Sequence, residues 1–197
     1  DMINLYDESG NLIVPEANKK PPLGKAYIQH MQNIGCNFAI PFSSFHRYVR
    51  KDSMHMNEFI TPLDKHYEGF QSDELKLLPA HIIWNTHSED YKEIKPNKNP
   101  ILVLDPEDFG DNYSDILEAE DKDLLVKYFS SFSHLKKHFG SITFAVGNQE
   151  TNIKLSNRNE SIYFKVPRTS LMKAVSNEIF DDLLIGNFMQ TTLINCK

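Results

Sequence analysis

The chain has 197 residues, 40% of them apolar and 24% charged, proportions that exclude wholesale disorder, collagen and coiled coil. Its length is enough to bury a core, as one domain or two small ones, without disulfide or metal staples. A net charge of −6 argues against a general binder of nucleic-acid backbones, and no apolar run approaches the roughly 18 residues of a membrane span.

Cys36 and Cys196 are the two cysteines. Their spacing is that of neither a disulfide framework nor a zinc knuckle, so a reducing, cytoplasmic setting is expected. Of 21 basic residues only Arg47, Arg50, Arg158 and Arg168 are arginines, a bias that fits an AT-rich genome and makes each arginine informative. The opening Asp1-Met2-Ile3-Asn4 has no signal or transit character. It and the close Asn195-Cys196-Lys197 read as ends of a piece cut from a longer protein, a complete small protein being the alternative.

Residues 5–20 predict a strand and turn, with turn chemistry at Asp7-Glu8-Ser9-Gly10-Asn11 and a stop at Pro15. Leu23, Tyr27, Met31 and Ile34 then step at helical spacing, with Gly35 as the C-terminal stop. Cys36 to Ile40 predicts a buried strand closed by Pro41. Ala80 to Trp84 is a candidate strand, the run around Lys95–Pro100 a loop, and Ile101 to Leu104 a strand. Leu117, Leu124, Leu125, Tyr128, Phe129, Phe132, Leu135 and Phe139 predict one long amphipathic helix over 117–139, closed by Gly140. Acids at its start and bases at its end suit the helix dipole. Thr143–Val146 and Asn152–Leu155 flank a hairpin turn, and Ser161–Val166 alternates as a further strand ended by Pro167. A short helix is expected to turn Leu171, Val175 and Ile179 inward, and a second to start at Asp181-Asp182. The fold class is therefore α+β (mixed α/β): a helix–strand unit, a long amphipathic helix, a small antiparallel sheet and C-terminal helices.

Phosphate-loop, dinucleotide, serine-hydrolase and zincin motifs are absent. The loop Asp105 to Asp111 carries a glycine where a calcium loop needs one. Phe109 occupies a ligand position, however, and Ile116 stands in place of the bidentate glutamate, which favours a capped, solvated turn. His134 and His138 lie away from the apolar stripe and read as solvated. Pro167-Arg168-Thr169-Ser170 offers either an anion site at a helix N-terminus or a cap.

The segment from Phe42 to Glu58 concentrates chemistry: His46, His55, Arg47, Arg50, Asp52 and the adjacent Ser43 and Ser44. It follows the carboxyl end of the expected buried strand, where open α/β sheets hold ligands. Neutral imidazoles ligate metals or shuttle protons, and guanidinium groups clamp anions. A polar surface loop over Phe45, Tyr48 and Met56 is the plainer reading.

The run Gly24-Lys25-Ala26-Tyr27, continuing through Ile34-Gly35-Cys36-Asn37-Phe38-Ala39-Ile40-Pro41-Phe42-Ser43-Ser44-Phe45-His46, resembles the last helix–strand unit of metallo-β-lactamase-fold hydrolases. In that superfamily the closing strand delivers a histidine to a zinc or iron centre. The resemblance implies that residues 1–65 are the tail of such a domain, followed by an α+β region over 66–197. It implies His46, then His55, as metal ligands and Arg47, Arg50 and Asp52 as catalytic residues beside a small-molecule substrate. Ser43, Ser44 and Asn57 are the substrate-binding candidates. The superfamily's H-x-H-x-D-H motif is absent and His46 lies five residues after Pro41, so the chain alone is expected to be inactive.

The stretch ending Phe180-Asp181-Asp182-Leu183-Leu184-Ile185-Gly186-Asn187-Phe188-Met189 resembles sterol-carrier-like domains, whose apolar helices cover a sheet and enclose a lipid-sized cavity. It implies a second function, a non-catalytic module holding an apolar or lipid-like ligand; a structural or assembly domain is the third. No nucleic-acid partner and no membrane span are expected. A sheet edge left unpaired by cutting predicts a homo-oligomer.

Overall fold

The computed structural model describes residues 4–13, 22–42, 46–96 and 100–196. Its strands and helices, in chain order, begin with β1 (Leu5–Tyr6), α1 (Leu23–Ile34), β2 (Phe38–Ala39), β3 (Lys76–Leu77), β4 (Ile82–Asn85) and β5 (Asp90–Glu93). There follow α2 (Ala119–Ser130), α3 (Leu135–His138), β6 (Ser141–Val146), β7 (Gln149–Lys154) and β8 (Ser161–Lys165). The chain ends in α4 (Arg168–Ser176), α5 (Asp181–Gly186) and β9 (Gln190–Ile194). This is a mixed α+β fold. Among the described residues no helix is long and apolar enough to cross a membrane.

The chain divides into two compact units that interleave along the sequence. One takes Asp1–Pro15, Tyr48–Asn57 and Val103–Lys197; the other takes Glu16–Arg47 and Glu58–Leu102.

In the first unit five strands form one sheet in the order β1-β9-β8-β6-β7. It is mixed, not antiparallel as expected: β6 pairs with β8 and β1 with β9 in parallel, whereas β7 is antiparallel to β6 and β9 to β8. Alternation sorts its faces. Ile142, Phe144, Val146, Ile162 and Phe164 are buried in one cluster with Leu125 and Phe129 of α2, Leu171 and Val175 of α4 and Leu183 of α5. Ala145, Lys165 and Gln190 stand in register on the opposite face. Two glycines make the topology possible. Gly147, with φ of 61°, takes the first position of the two-residue β6–β7 turn. At Gly140 the link from β7 to β8 crosses so closely that any side chain would collide with the Arg158 carbonyl.

Several expectations fail here for visible reasons. The long helix breaks after Ser130, because Ser131 closes it with both its amide and its hydroxyl on the Tyr128 carbonyl. Three serines in Ser130-Ser131-Phe132-Ser133 compete with helical hydrogen bonding. Leu124 and Ile179 are exposed, not inward. Strand β9 was not anticipated, since Gln190, Thr191 and Thr192 give it no apolar alternation.

In the second unit α1 runs from Leu23 to a left-handed Gly35, as its spacing predicts, but Ile34 is 75% exposed. The strand expected over 36–40 shrinks to β2, half-buried and paired in parallel with β3 alone. Strands β4 and β5 form an antiparallel hairpin. No strand forms over 101–104; Ile101 and Leu102 are exposed, and Leu104 makes one bridge to Arg50 within the first unit.

Candidate functional site

The polar segment singled out in the sequence folds around Arg50, which is 7% exposed. Its Nε donates to Asp52 Oδ1 at 2.9 Å, its Nη2 to Asp52 Oδ2 at 3.1 Å and its Nη1 to Asp111 Oδ2 at 2.6 Å. The ring of Phe188 lies 3.9 Å from the guanidinium carbon and that of Phe109 5.3 Å. Burial opposes the charge, but the hydrogen bonds and charges of both aspartates hold the arginine above its ordinary pKa. Asp111 is 1% exposed and also accepts from the Ser170 amide and hydroxyl in the first turn of α4. The helix N-terminus considered as an anion site thus receives the protein's own carboxylate. Removing one member of such a buried set leaves an uncompensated charge, at about 3–5 kcal/mol. Three of the guanidinium's five N–H donors are thus spent on the two aspartates, so Arg50 acts as a strut between Asp52 and Asp111.

Beside this network, on the sheet face opposite the helices, lies a cleft of about 460 Å³. Asp52, His55, Tyr113, Lys165, Phe188 and Gln190 are among its lining residues. Tyr113 donates its hydroxyl to Asp52 Oδ2 at 2.8 Å. Burial first, then the Asp52 carboxylate, pushes its phenol well above the ordinary tyrosine value. His55 Nε2 lies 3.2 Å from Asn4 Oδ1.

Of the residues proposed from sequence, the fold gathers Arg50, Asp52 and His55 here. Asn57 spends its amide on the Tyr48 backbone, accepting from N at 2.9 Å and donating to O at 2.8 Å. His46 and Arg47 are exposed and belong to the other unit. Ser43 and Ser44 lie outside the described residues. A zinc or iron centre does not fit the donors present: among the described residues no three His, Cys, Asp or Glu side chains converge to hold a metal ion. The meeting of Asp111 with Arg50 and of Tyr113 with Asp52, each across 61 residues, and of Ser170 with Asp111 across 59, was not readable from the sequence because no motif links them.

A second cavity, of about 610 Å³, opens on the helix-covered face of the same sheet. Ile142 of β6 and Ile162 and Phe164 of β8 form part of its wall. Residues 128–135 and 178–184 supply Tyr128, Phe129, Phe132, Leu135, Phe180 and Leu184. Its rings interlock: Phe129 and Phe180 meet edge to face at 4.9 Å, and Tyr128 and Phe132 at 5.0 Å. Ser131, His134, Glu178 and Asp181 add exposed polar groups to the lining. The break between α2 and α3 matters, because Ser131, Phe132 and His134 reach the cavity from the turn that replaces the expected continuous helix. The sequence signal was present in the clustered phenylalanines of residues 129–144 and 164–180, but it reads equally as core.

No protein-family model matches the chain, and no match is found among curated proteins or solved structures.

Proposed function

We propose that the unit carrying the five-stranded sheet is a non-catalytic module that binds an apolar, lipid-like small molecule between the sheet and its helices. The observation that carries this reading is the cavity walled by Tyr128, Phe129, Phe132, Phe164 and Phe180. Its size falls within the roughly 300–1,000 Å³ of ordinary ligand pockets. Seating an apolar body against these rings removes apolar surface from water, so such a ligand gains by entering.

N-phenyl-1-naphthylamine, a neutral probe that brightens in apolar surroundings, tests the proposal. The full chain is expected to enhance its emission and to release it to long-chain alcohols. His134→Trp, which places a bulky ring at an exposed lining position, should abolish the enhancement while preserving the circular dichroism. An unmodified chain that leaves the probe dark would overturn the reading.

A further inference from the structure

We infer that the occupant of this cavity is an organic cation, a quaternary ammonium or protonated amine carried on an apolar body. This rests on the apolar-ligand reading and adds the charge of the ligand to it. The lining couples two features that favour the same charge. Tyr128, Phe129, Phe132, Phe164 and Phe180 supply aromatic rings, whose electron-rich faces attract cations. Glu178 and Asp181 add two exposed carboxylates to the same lining, and among its described residues there is no lysine or arginine. A carboxylate or sulfonate headgroup would meet these acids unpaired, whereas an ammonium meets aromatic rings and opposite charge. The lining's other titratable side chains are Tyr128 and His134.

The test compares three ligands of one shape: phenyltrimethylammonium, its uncharged isostere tert-butylbenzene, and benzenesulfonate. Binding to the full chain is followed at low salt through the backbone amide resonances of residues 128–135 and 178–184. The cation is expected to bind about five- to thirtyfold more tightly than tert-butylbenzene, by adding ring–cation attraction to exposed ion pairing; benzenesulfonate should bind weakest. Glu178→Gln combined with Asp181→Asn should remove most of this preference while leaving the affinity for tert-butylbenzene unchanged. Equal affinity for cation and isostere in the unmodified chain would overturn the charge assignment and leave the apolar-ligand reading standing. Failure of both to bind at these residues would overturn both.

Discussion

In the unit built on the five-stranded sheet, sixteen buried apolar side chains form one cluster. In the other unit the buried apolar side chains among the described residues are Met31 and Leu78, with Pro41 also buried. The first unit can afford a ligand-sized opening in its wall, because Phe144, Leu125 and Leu171 beneath it are fully buried. The second unit relies on short two-stranded ladders and polar contacts such as Tyr27 Oη to His66 Nδ1 at 3.1 Å. Local cohesion in the two regions thus comes from different sources, and perturbation should separate them.

The largest separation is expected from core truncation. Phe129→Ala removes a ring that packs on Phe144, Phe132 and Phe180 and should cost about 3–5 kcal/mol, whereas Met31→Ala should cost about 2. Trp84, the single tryptophan, belongs to the second unit, so its fluorescence reports that unit while far-ultraviolet dichroism is dominated by the first. Under urea, Phe129→Ala should move the dichroism midpoint more than the fluorescence midpoint. Coincident shifts of both signals would break the comparison by making the units one cooperative body.

Acid offers a gentler cut. Burial holds the His66 imidazole below its ordinary value. The fold therefore favours the neutral ring, and the resulting stability is complete above about pH 6.5 and lost as pH falls through the depressed value. In the first unit burial pushes the Asp121 carboxyl up. Hydrogen bonds from Arg168 and the Glu118 amide, with the arginine's charge, outweigh that and hold it below the ordinary aspartate range. Its contribution is complete above about pH 4 and fades only as pH falls further. On acidification the Trp84 signal should change before the dichroism does, and the reverse order would contradict this assignment.

The same contrast explains which parts of the fold were legible. Strands β6 and β8 bury alternate residues against helices, and burial writes a period of two into Ile142-Thr143-Phe144 and Ile162-Tyr163-Phe164. Where little is buried no such record exists. Phe38 and Ala39 look like a core strand because they are apolar, yet they pair only with Lys76 and Leu77. Ile101 and Leu102 carry strand-like side chains, but the fold leaves them exposed at the chain's passage between units. The site divides similarly. Arg50, Asp52 and His55 could be found because they are close in sequence. The meeting of Asp111, Tyr113 and Ser170 with them was unreadable because long-range ion pairs and hydrogen bonds leave no periodic trace, and the aromatic cavity was hidden because a pocket wall has the composition of a core.

The smallest effect gives the sharpest comparison, because both units contain a glutamate in the left-handed backbone region. Glu178 has φ of 59° after α4, and Glu89 has φ of 49° in the turn between β4 and β5. Side chains with a Cβ are disfavoured there and glycine is not, so Glu178→Gly and Glu89→Gly should each stabilise the protein by about 0.5–1 kcal/mol. Their effects on binding should differ, because Glu178 lines the aromatic cavity whereas Glu89 belongs to the other unit. Losing one exposed carboxylate should weaken phenyltrimethylammonium binding about two- to fivefold in Glu178→Gly and leave it unchanged in Glu89→Gly. A strained glutamate retained where glycine would be more stable is then explained at residue 178 by the ligand it faces. Equal affinities in the two variants would show instead that strain at 178, like that at 89, is only a local feature of its turn.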